Sequence, residues 1–408
     1  MTPATLQFIR THRTDDVRLL ALQAARYPEV EMETALTQIA GWQMARHKLP
    51  SWAACPDILY PPHLSMEQCS SEATARYKAD VVKAQGEAAH SLTDLTGGFG
   101  IDCSFLSTCF EEVTYVERQA VLCEAAVHNF QLLGLPHIRV CHTDAIRHLQ
   151  AMVPCDWIFI DPARRDGQGG KTVAMADCEP DVAQLESLLC SKGKRVLVKL
   201  SPMLDLSQAL HTLKHVEEAH IVASDGECKE LLLMLNGTVT LSADDVPIYC
   251  IDLPRLLPDN PSLVSNRPLP FRFTRRTERE VACPYADVPR QYLYEPHAAL
   301  LKAGAYRSLT QCYEVTKLHP SSHLYTSDTL IADFPGRCFR VLRCQGFSKK
   351  EIKALQASVS RANLTVRNFP ATVAELRRKL KLAEGGDLYL FATTLNDNSK
   401  ALILCQKA

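Results

Sequence analysis

Four acidic residues, Asp94, Glu117, Asp144 and Asp161, stand at intervals along the middle of the chain, each closing or following a short apolar run. After the first comes DLTGGFGID, which contains Thr96, Gly97, Gly98, Gly100 and Asp102. Glycines at this spacing let the backbone approach a ligand closely, because no Cβ intervenes. As a dinucleotide fingerprint the turn would need glycine or alanine at 103, where Cys103 stands, and Asp102 would repel a pyrophosphate. A phosphate-cradling Walker loop is excluded because no Gly-Lys-Ser/Thr follows the glycines. Acids around a glycine turn favour a cationic ligand without phosphate. S-adenosyl-L-methionine, with its sulfonium and ammonium groups, has that chemistry.

The later acids extend this reading. Glu117, with Arg118 beside it, lies where an acid can accept hydrogen bonds from both ribose hydroxyls. Asp144 and Ala145 fall where methyltransferases contact the adenine amine and ring. Taken singly, Glu117 or Asp144 reads equally well as a helix N-cap, since Asp144 directly precedes an apolar-periodic segment. Four acids at four successive strand ends form a stronger pattern than any one of them.

Asp161-Pro162-Ala163-Arg164 occupies the place where enzymes methylating planar nitrogens carry Asp/Asn-Pro-Pro-aromatic. There the acid accepts from the target amine and the aromatic ring stacks on the base. An arginine in the fourth place can stack on a base or pair with a phosphate, or Arg164 and Arg165 can simply pair with Asp166 or Asp177. The Asp-Pro-x-Arg variant also resembles uracil C5 methyltransferases, which need a cysteine nucleophile at the end of the next strand. That strand, RVLVKLSP, offers Leu200, Ser201 and Pro202 there, so direct transfer without a covalent cysteine intermediate is expected. The catalytic candidates are Asp161, Pro162 and Arg164. Lys199 reads either as a substrate contact or as a salt-bridge partner.

The elements that must hold these residues follow from periodicity. Apolar residues recur at three- and four-residue steps in VRLLALQAARYPEV and METALTQIAGWQMARHKL, which predicts a helical domain over 1–62 ending in a proline-rich stretch. From 63 to 240 short β-branched runs alternate with helical patterns, the signature of a doubly wound α/β sheet. EEAHIVAS and ELLLMLNG, joined by DGECK, can form a hairpin that adds an antiparallel edge, as in a seven-stranded Rossmann-like methyltransferase sheet. Residues 241–328 are proline-rich and mixed, and 329–408 alternate again as a small α+β module.

A net charge of −1 conceals an asymmetry: residues 265–408 carry 23 Lys+Arg against 12 Asp+Glu. Concentrated positive charge suits a polyanion such as RNA, although solvated helix faces account for it too. The sixteen cysteines include no CxxC pair, so neither a metal nor a disulfide framework is expected. A polar start and the lack of eighteen unbroken apolar residues predict a cytoplasmic protein without a membrane span.

Together these segments resemble the class I S-adenosylmethionine-dependent methyltransferases that bear a THUMP-like C-terminal module. The resemblance is carried by MEQCSSEATARYKA, DLTGGFGID, DPARR, YLYEPHAALLKAG, KLHPSSHLYTS and NLTVRNFPATVAELRRKLKL. It implies a ferredoxin-like segment around 265–325 and tRNA or rRNA as partner through the basic C-terminal region. It also implies a cofactor cover from the segment containing Ser71, Tyr77 and Lys78. A methyltransferase acting on a protein or small molecule, and a non-catalytic RNA-binding protein with a vestigial cofactor fold, stay open as alternatives.

Overall fold

In the computed structural model, residues 1–86, 89–164, 175–255 and 268–408 are described, with Arg164 represented by its backbone only. Six helices open the chain: α1 (Pro3–Thr11), α2 (Val17–Leu22), α3 (Met32–Lys48), α4 (Pro50–Ala54), α5 (His63–Gln68) and α6 (Glu72–Ala84). Side-chain oxygens start several of them; Asp16 accepts from the Arg18 and Leu19 amides and Ser71 from the Thr74 amide. Phe8, Leu20, Ala35 and Ile39 form one apolar cluster. Trp52, Tyr60 and Met66 form another with Phe99 of the glycine turn, so the helices pack onto the turn they precede.

Strands and helices then alternate: β1 (Ser91–Asp94), α7 (Ile101–Leu106), β2 (Glu112–Glu117), α8 (Ala120–Leu132), β3 (Ile138–His142), α9 (Ala145–Ala151) and β4 (Cys155–Ile160). A two-residue pair follows, β5 (Ala163–Arg164) against β6 (Cys178–Glu179). Next come α10 (Val182–Lys192), β7 (Gly193–Leu200), α11 (Leu206–Thr212), β8 (Val216–Ser224) and β9 (Glu227–Leu235). β3, β2, β1, β4 and β7 are parallel in that order, and β9 joins β7 antiparallel. The β8–β9 hairpin turns at Asp225 and Gly226, both left-handed at φ 56° and 76°, as a two-residue hairpin turn requires. Trp157 to Ile160 and Leu231 to Leu235 are buried at every position, because helices or neighbouring chain cover both faces of a sheet of this kind. The order β8-β9-β7-β4-β1-β2-β3 accounts for the expected seven strands, and β10 (Ile248–Leu253) and β11 (Phe271–Phe273) pair with each other antiparallel.

The rest of the chain contains α12 (Arg275–Glu280), β12 (Tyr292–Pro296), α13 (Ala298–Ala303), α14 (Ser308–Cys312), β13 (Thr316–Lys317) and β14 (Tyr325–Ser327). It ends with β15 (Gly336–Gln345), α15 (Lys349–Ser358), β16 (Asn363–Arg367), α16 (Val373–Leu380), β17 (Leu388–Thr394) and β18 (Lys400–Lys407). These strands form a second sheet in the order β13-β14-β12-β15-β18-β17-β16. Reciprocal capping boxes, Ser348 with Glu351 and Thr372 with Glu375, start α15 and α16. The chain divides into two compact units, one built mainly on residues 1–225 and the other on 270–408, with short segments of 226–269 going to each. All sixteen cysteines are free, and five of them are buried. Among the described residues no helix is long and apolar enough to cross a membrane.

Candidate functional site

The glycine turn is held from below by β2. Gly97 donates to the Val116 carbonyl at 2.8 Å, and the buried Tyr115 hydroxyl donates to the Gly98 carbonyl at 2.5 Å. A Cβ on Gly97 would lie 2.1 Å from the Tyr115 ring, so backbone and ring touch there. Gly98 and Gly100 take φ of 54° and 88°, the left-handed region that glycine enters without strain. Tyr115 was not identifiable from the sequence as part of the site, because its role is to pack under the turn.

Asp94, at the end of β1, is 1% exposed. Its Oδ1 accepts from the Thr96 amide at 3.0 Å, while its buried Oδ2 has no partner among the described residues. Burial pushes this carboxyl well above the usual carboxylate range, and nearby Asp102, Asp161 and Glu117 add to the effect. Glu117 accepts from the Gly98 amide at 3.0 Å and from the Gln119 amide at 2.9 Å, so it also shapes the turn. Asp144 caps α9, its Oδ1 accepting from the Ile146 and Arg147 amides at 2.9 and 3.0 Å. The cap and the position at the site coexist, since Asp144 and Ala145 line the same cavity as the glycines.

That cavity brings together Asp94, Thr96, Gly97, Gly98, Gly100, Asp102, Glu117, Arg118, Asp144, Ala145 and Asp161. Arg118 is exposed and reaches Glu179 at 3.4 Å. Pro162 is buried and does not belong to the lining; the Arg164 side chain, Arg165 and Asp166 lie outside the described residues. The Asp161 amide donates to Thr96 Oγ1 at 2.7 Å, which ties the β4 end to the glycine turn.

Two lysines complete the floor, Lys78 fully buried and Lys199 partly so. Lys78 of α6 is fully buried, with Nζ 2.5 Å from Glu230 and 3.2 Å from Asp102. Asp102 also accepts from Ser70 Oγ at 2.7 Å. Burial raises the Asp102 carboxyl, but Lys78 and Lys199 outweigh it and hold the group below the usual range. Lys199, on β7, donates to Asp161 Oδ2 at 2.5 Å and lies 3.7 Å from Asp102. Burial alone would lower its pKa; Asp161 and Asp102 reverse that, so it stays an ammonium. At Asp161 burial and Lys199 act in opposite senses, and burial is the larger. Glu230 was missed in the sequence reading, although a charge opening the apolar run ELLLML is a signal that could have found it. Ser71 is the α6 cap and the Tyr77 hydroxyl meets His220 Nδ1 at 2.8 Å, so neither lines the cavity, and Lys78 acts beneath it.

A second cavity of about 520 Å³ adjoins the first, sharing Gln68, Cys69, Ser70 and Lys199 with it. It is bordered by His47 and Lys48 of α3, Lys229 of β9 and Arg255. Lys48 donates to the Met66 and Glu67 carbonyls at 2.9 and 2.7 Å. No group of histidine, cysteine and acidic side chains that could hold a metal ion is found among the described residues.

Acids outnumber cations in the first cavity; Asp94 Oδ2 and Asp102 Oδ1 are buried without a hydrogen bond, and of the two only Asp102 Oδ1 has an ion-pair partner, Lys78, among the described residues. Both features fit a cationic ligand and oppose a phosphate. Comparison with known proteins identifies the chain's relatives. A ferredoxin-like domain model matches residues 292–335 and a THUMP-domain-like model matches 336–407. The crystal structure of a candidate methyltransferase from Porphyromonas gingivalis W83 is 37% identical, with a TM-score of 0.87 over 99% of this chain and 98% of that one. The modification subunit of a candidate type I restriction enzyme from Vibrio vulnificus YJ016 is far more distant: 13% identity and a TM-score of 0.37 over 62% of each chain. No curated protein matches the sequence.

Proposed function

Because the chain belongs to the family of class I methyltransferases with a THUMP-like C-terminal domain, we propose that it methylates a base in structured tRNA or rRNA from S-adenosylmethionine. The observation that carries the cofactor is Asp94 Oδ2, a buried carboxylate oxygen without a partner at the head of the glycine turn. An unsatisfied charged acceptor in such a place is costly unless a ligand completes it. S-adenosylmethionine, when bound, supplies an electrophilic methyl group on a sulfonium.

The chain's own residues then have separable tasks. Asp94 accepts from the ligand's cationic end, with Thr96, Gly97, Gly98 and Gly100 admitting it closely; Asp102 keeps that end of the cavity negative. Glu117, with Arg118 beside it, receives the ribose hydroxyls. Asp144 and Ala145 border the adenine. Asp161 orients the acceptor, Pro162 stiffens the backbone that carries it, and Arg164 is the intended stacking or phosphate contact. Transfer of this kind needs alignment and exclusion of water more than acid–base power. No cysteine is assigned a covalent role, since Leu200, Ser201 and Pro202 stand at the end of β7 where the nucleophile would be needed.

RNA is supported by the THUMP-like match and by exposed cations on α15 and α16, including Lys350, Lys353 and Arg378. We assign 1–62 as a helical domain, 63–240 as the methyltransferase domain, 241–328 as linker and ferredoxin-like segment, and 329–408 as the RNA-binding module of a cytoplasmic enzyme. Two measurements test the proposal. Calorimetry should detect S-adenosylmethionine binding that Asp94→Ala and Glu117→Ala abolish; a chain that does not bind it, with or without these changes, rules the enzyme out. Nucleoside profiling of RNA from cells with and without the gene should reveal one missing methylated nucleoside. If none is missing, a protein or small-molecule acceptor replaces RNA.

A further inference from the structure

Among the described residues, Lys199 is the charged side chain that borders both cavities. Its ammonium donates one hydrogen bond, to Asp161 Oδ2 at 2.5 Å, and keeps further N–H groups. Asp161 Oδ1 receives no hydrogen bond from a described residue. A carboxylate acceptor and an ammonium donor therefore stand side by side where the methyl-donor cavity meets the second one.

We infer that Asp161 and Lys199 read the lactam edge of a base, so that the acceptor is a ring nitrogen flanked by a keto oxygen, N1 of guanine or N3 of uracil. This rests on the RNA methyltransferase reading above. The ring N–H donates to Asp161 and the keto oxygen accepts from Lys199. An exocyclic amine beside a ring nitrogen offers a similar donor–acceptor pair but reacts the wrong way. An ammonium on its ring nitrogen would draw electron density from the amine, which must attack as a neutral lone pair. A lactam nitrogen becomes nucleophilic by losing its proton, and the resulting charge is shared with the keto oxygen, where an ammonium stabilises it. The absence of an aromatic residue at position 164 points the same way, since the amine-methylating pattern relies on that ring.

The step balances. The ring nitrogen gives its proton to the Asp161 carboxylate. Its lone pair then forms the bond to the methyl carbon as the carbon–sulfur bond breaks, and the sulfur leaves as a neutral sulfide. Asp161 returns the proton to water. Lys199 is faced by Asp161 and Asp102, with Glu230 and Lys78 behind them and Lys48 and Cys69 on the side of the second cavity. Its charge is therefore fixed by two adjacent carboxylates.

The test uses the full-length protein, labelled S-adenosylmethionine and total RNA from a strain lacking the gene, followed by digestion to nucleosides. Label in 1-methylguanosine or 3-methyluridine is expected. Label on an exocyclic amine, a ring carbon or a ribose hydroxyl overturns this inference and leaves the RNA methyltransferase reading intact, whereas no label in RNA overturns both. Lys199→Met should lower kcat about 100-fold or more and move the acid limb of its pH profile upward, because Lys199 is the neighbour that holds the Asp161 carboxyl down, without weakening S-adenosylmethionine binding. Lys199→Arg should keep the wild-type limb. A uniform loss of rate at every pH in Lys199→Met would reduce Lys199 to a structural role and sink the assignment.

Discussion

Lys78 and Glu230, 152 residues apart in sequence, meet at 2.5 Å with neither side chain more than 3% exposed. Lys78 also pairs with Asp102, which faces Lys199, which pairs with Asp161. A line of alternating charge thus runs from the contact of α6 with β9 to the proposed acceptor position, anchoring Asp161 to the scaffold.

Removing the cation from that line should be expensive. Lys78→Met leaves Glu230 and Asp102 buried without their shared partner, and uncompensated buried charges typically cost about 3–5 kcal/mol. Denaturant unfolding of the full chain should register a loss of that size. A change below about 1 kcal/mol would mean that water reaches the pair.

Asp94→Asn preserves shape and the contact with the Thr96 amide while removing the charge. Hydrogen bonds to charged groups contribute about 1.5–3 kcal/mol, so S-adenosylmethionine should bind about 10- to 100-fold more weakly by calorimetry. Unchanged affinity would place the ligand's cationic end elsewhere.

The same carboxyl makes stability depend on pH. Its folded pKa lies above the ordinary value of 3.8, so the native state holds the proton more tightly than the unfolded chain. Its contribution is complete below 3.8 and is lost as pH rises through the raised folded value. Ligand-free wild-type protein should therefore lose more stability than Asp94→Asn between acid and neutral pH, as measured by thermal melts across that range. Parallel curves for the two proteins would refute the assignment.

Gly97→Ala brings a methyl group to 2.1 Å from the Tyr115 ring, which is itself fully buried and cannot swing away. Overpacking of this kind costs about 1–3 kcal/mol or more. We expect lowered stability together with loss of S-adenosylmethionine binding, because the turn must move. Wild-type behaviour in both assays would show that Tyr115 yields.

RNA affinity should be strongly salt-dependent. Replacing exposed Lys350, Lys353 and Arg378 with alanine should reduce the slope of log K against log salt by about 2, given about 0.7 per neutralised phosphate on single strands. Filter binding with tRNA at several salt concentrations reads this directly. An unaltered slope would place the RNA on another face.

The glycine turn, the strand-end acids and the alternation of strands and helices were legible because they are local. A glycine run, a β-branched run ending in acid, or an N-cap before a periodic segment is written in neighbouring residues and obeys backbone geometry alone. Asp144 is a good example, since its two amide partners lie two and three residues ahead. DGECK allowed a hairpin, which turns at Asp225-Gly226, and the alternation over 329–408 allowed the α+β module that contains α15 and α16.

Only the tertiary structure decided what lies beneath the site. Lys78, Glu230, Asp102 and Lys199 come from four different elements, and no spacing in the chain announces that their charges will cancel in one buried line. Tyr115 supports the glycine turn by filling the space a Cβ would need, a fact of packing that its place in a strand does not reveal. The sequence by itself determined which residue types stand at the strand ends, and the proposed ligand follows from them. Its tertiary arrangement decided which of those acids are neutralised and which, like Asp94, keep an oxygen unpaired. The reason is physical: a carboxylate's effect depends on burial and on charges a few ångströms away, and those neighbours are set by folding rather than by sequence separation.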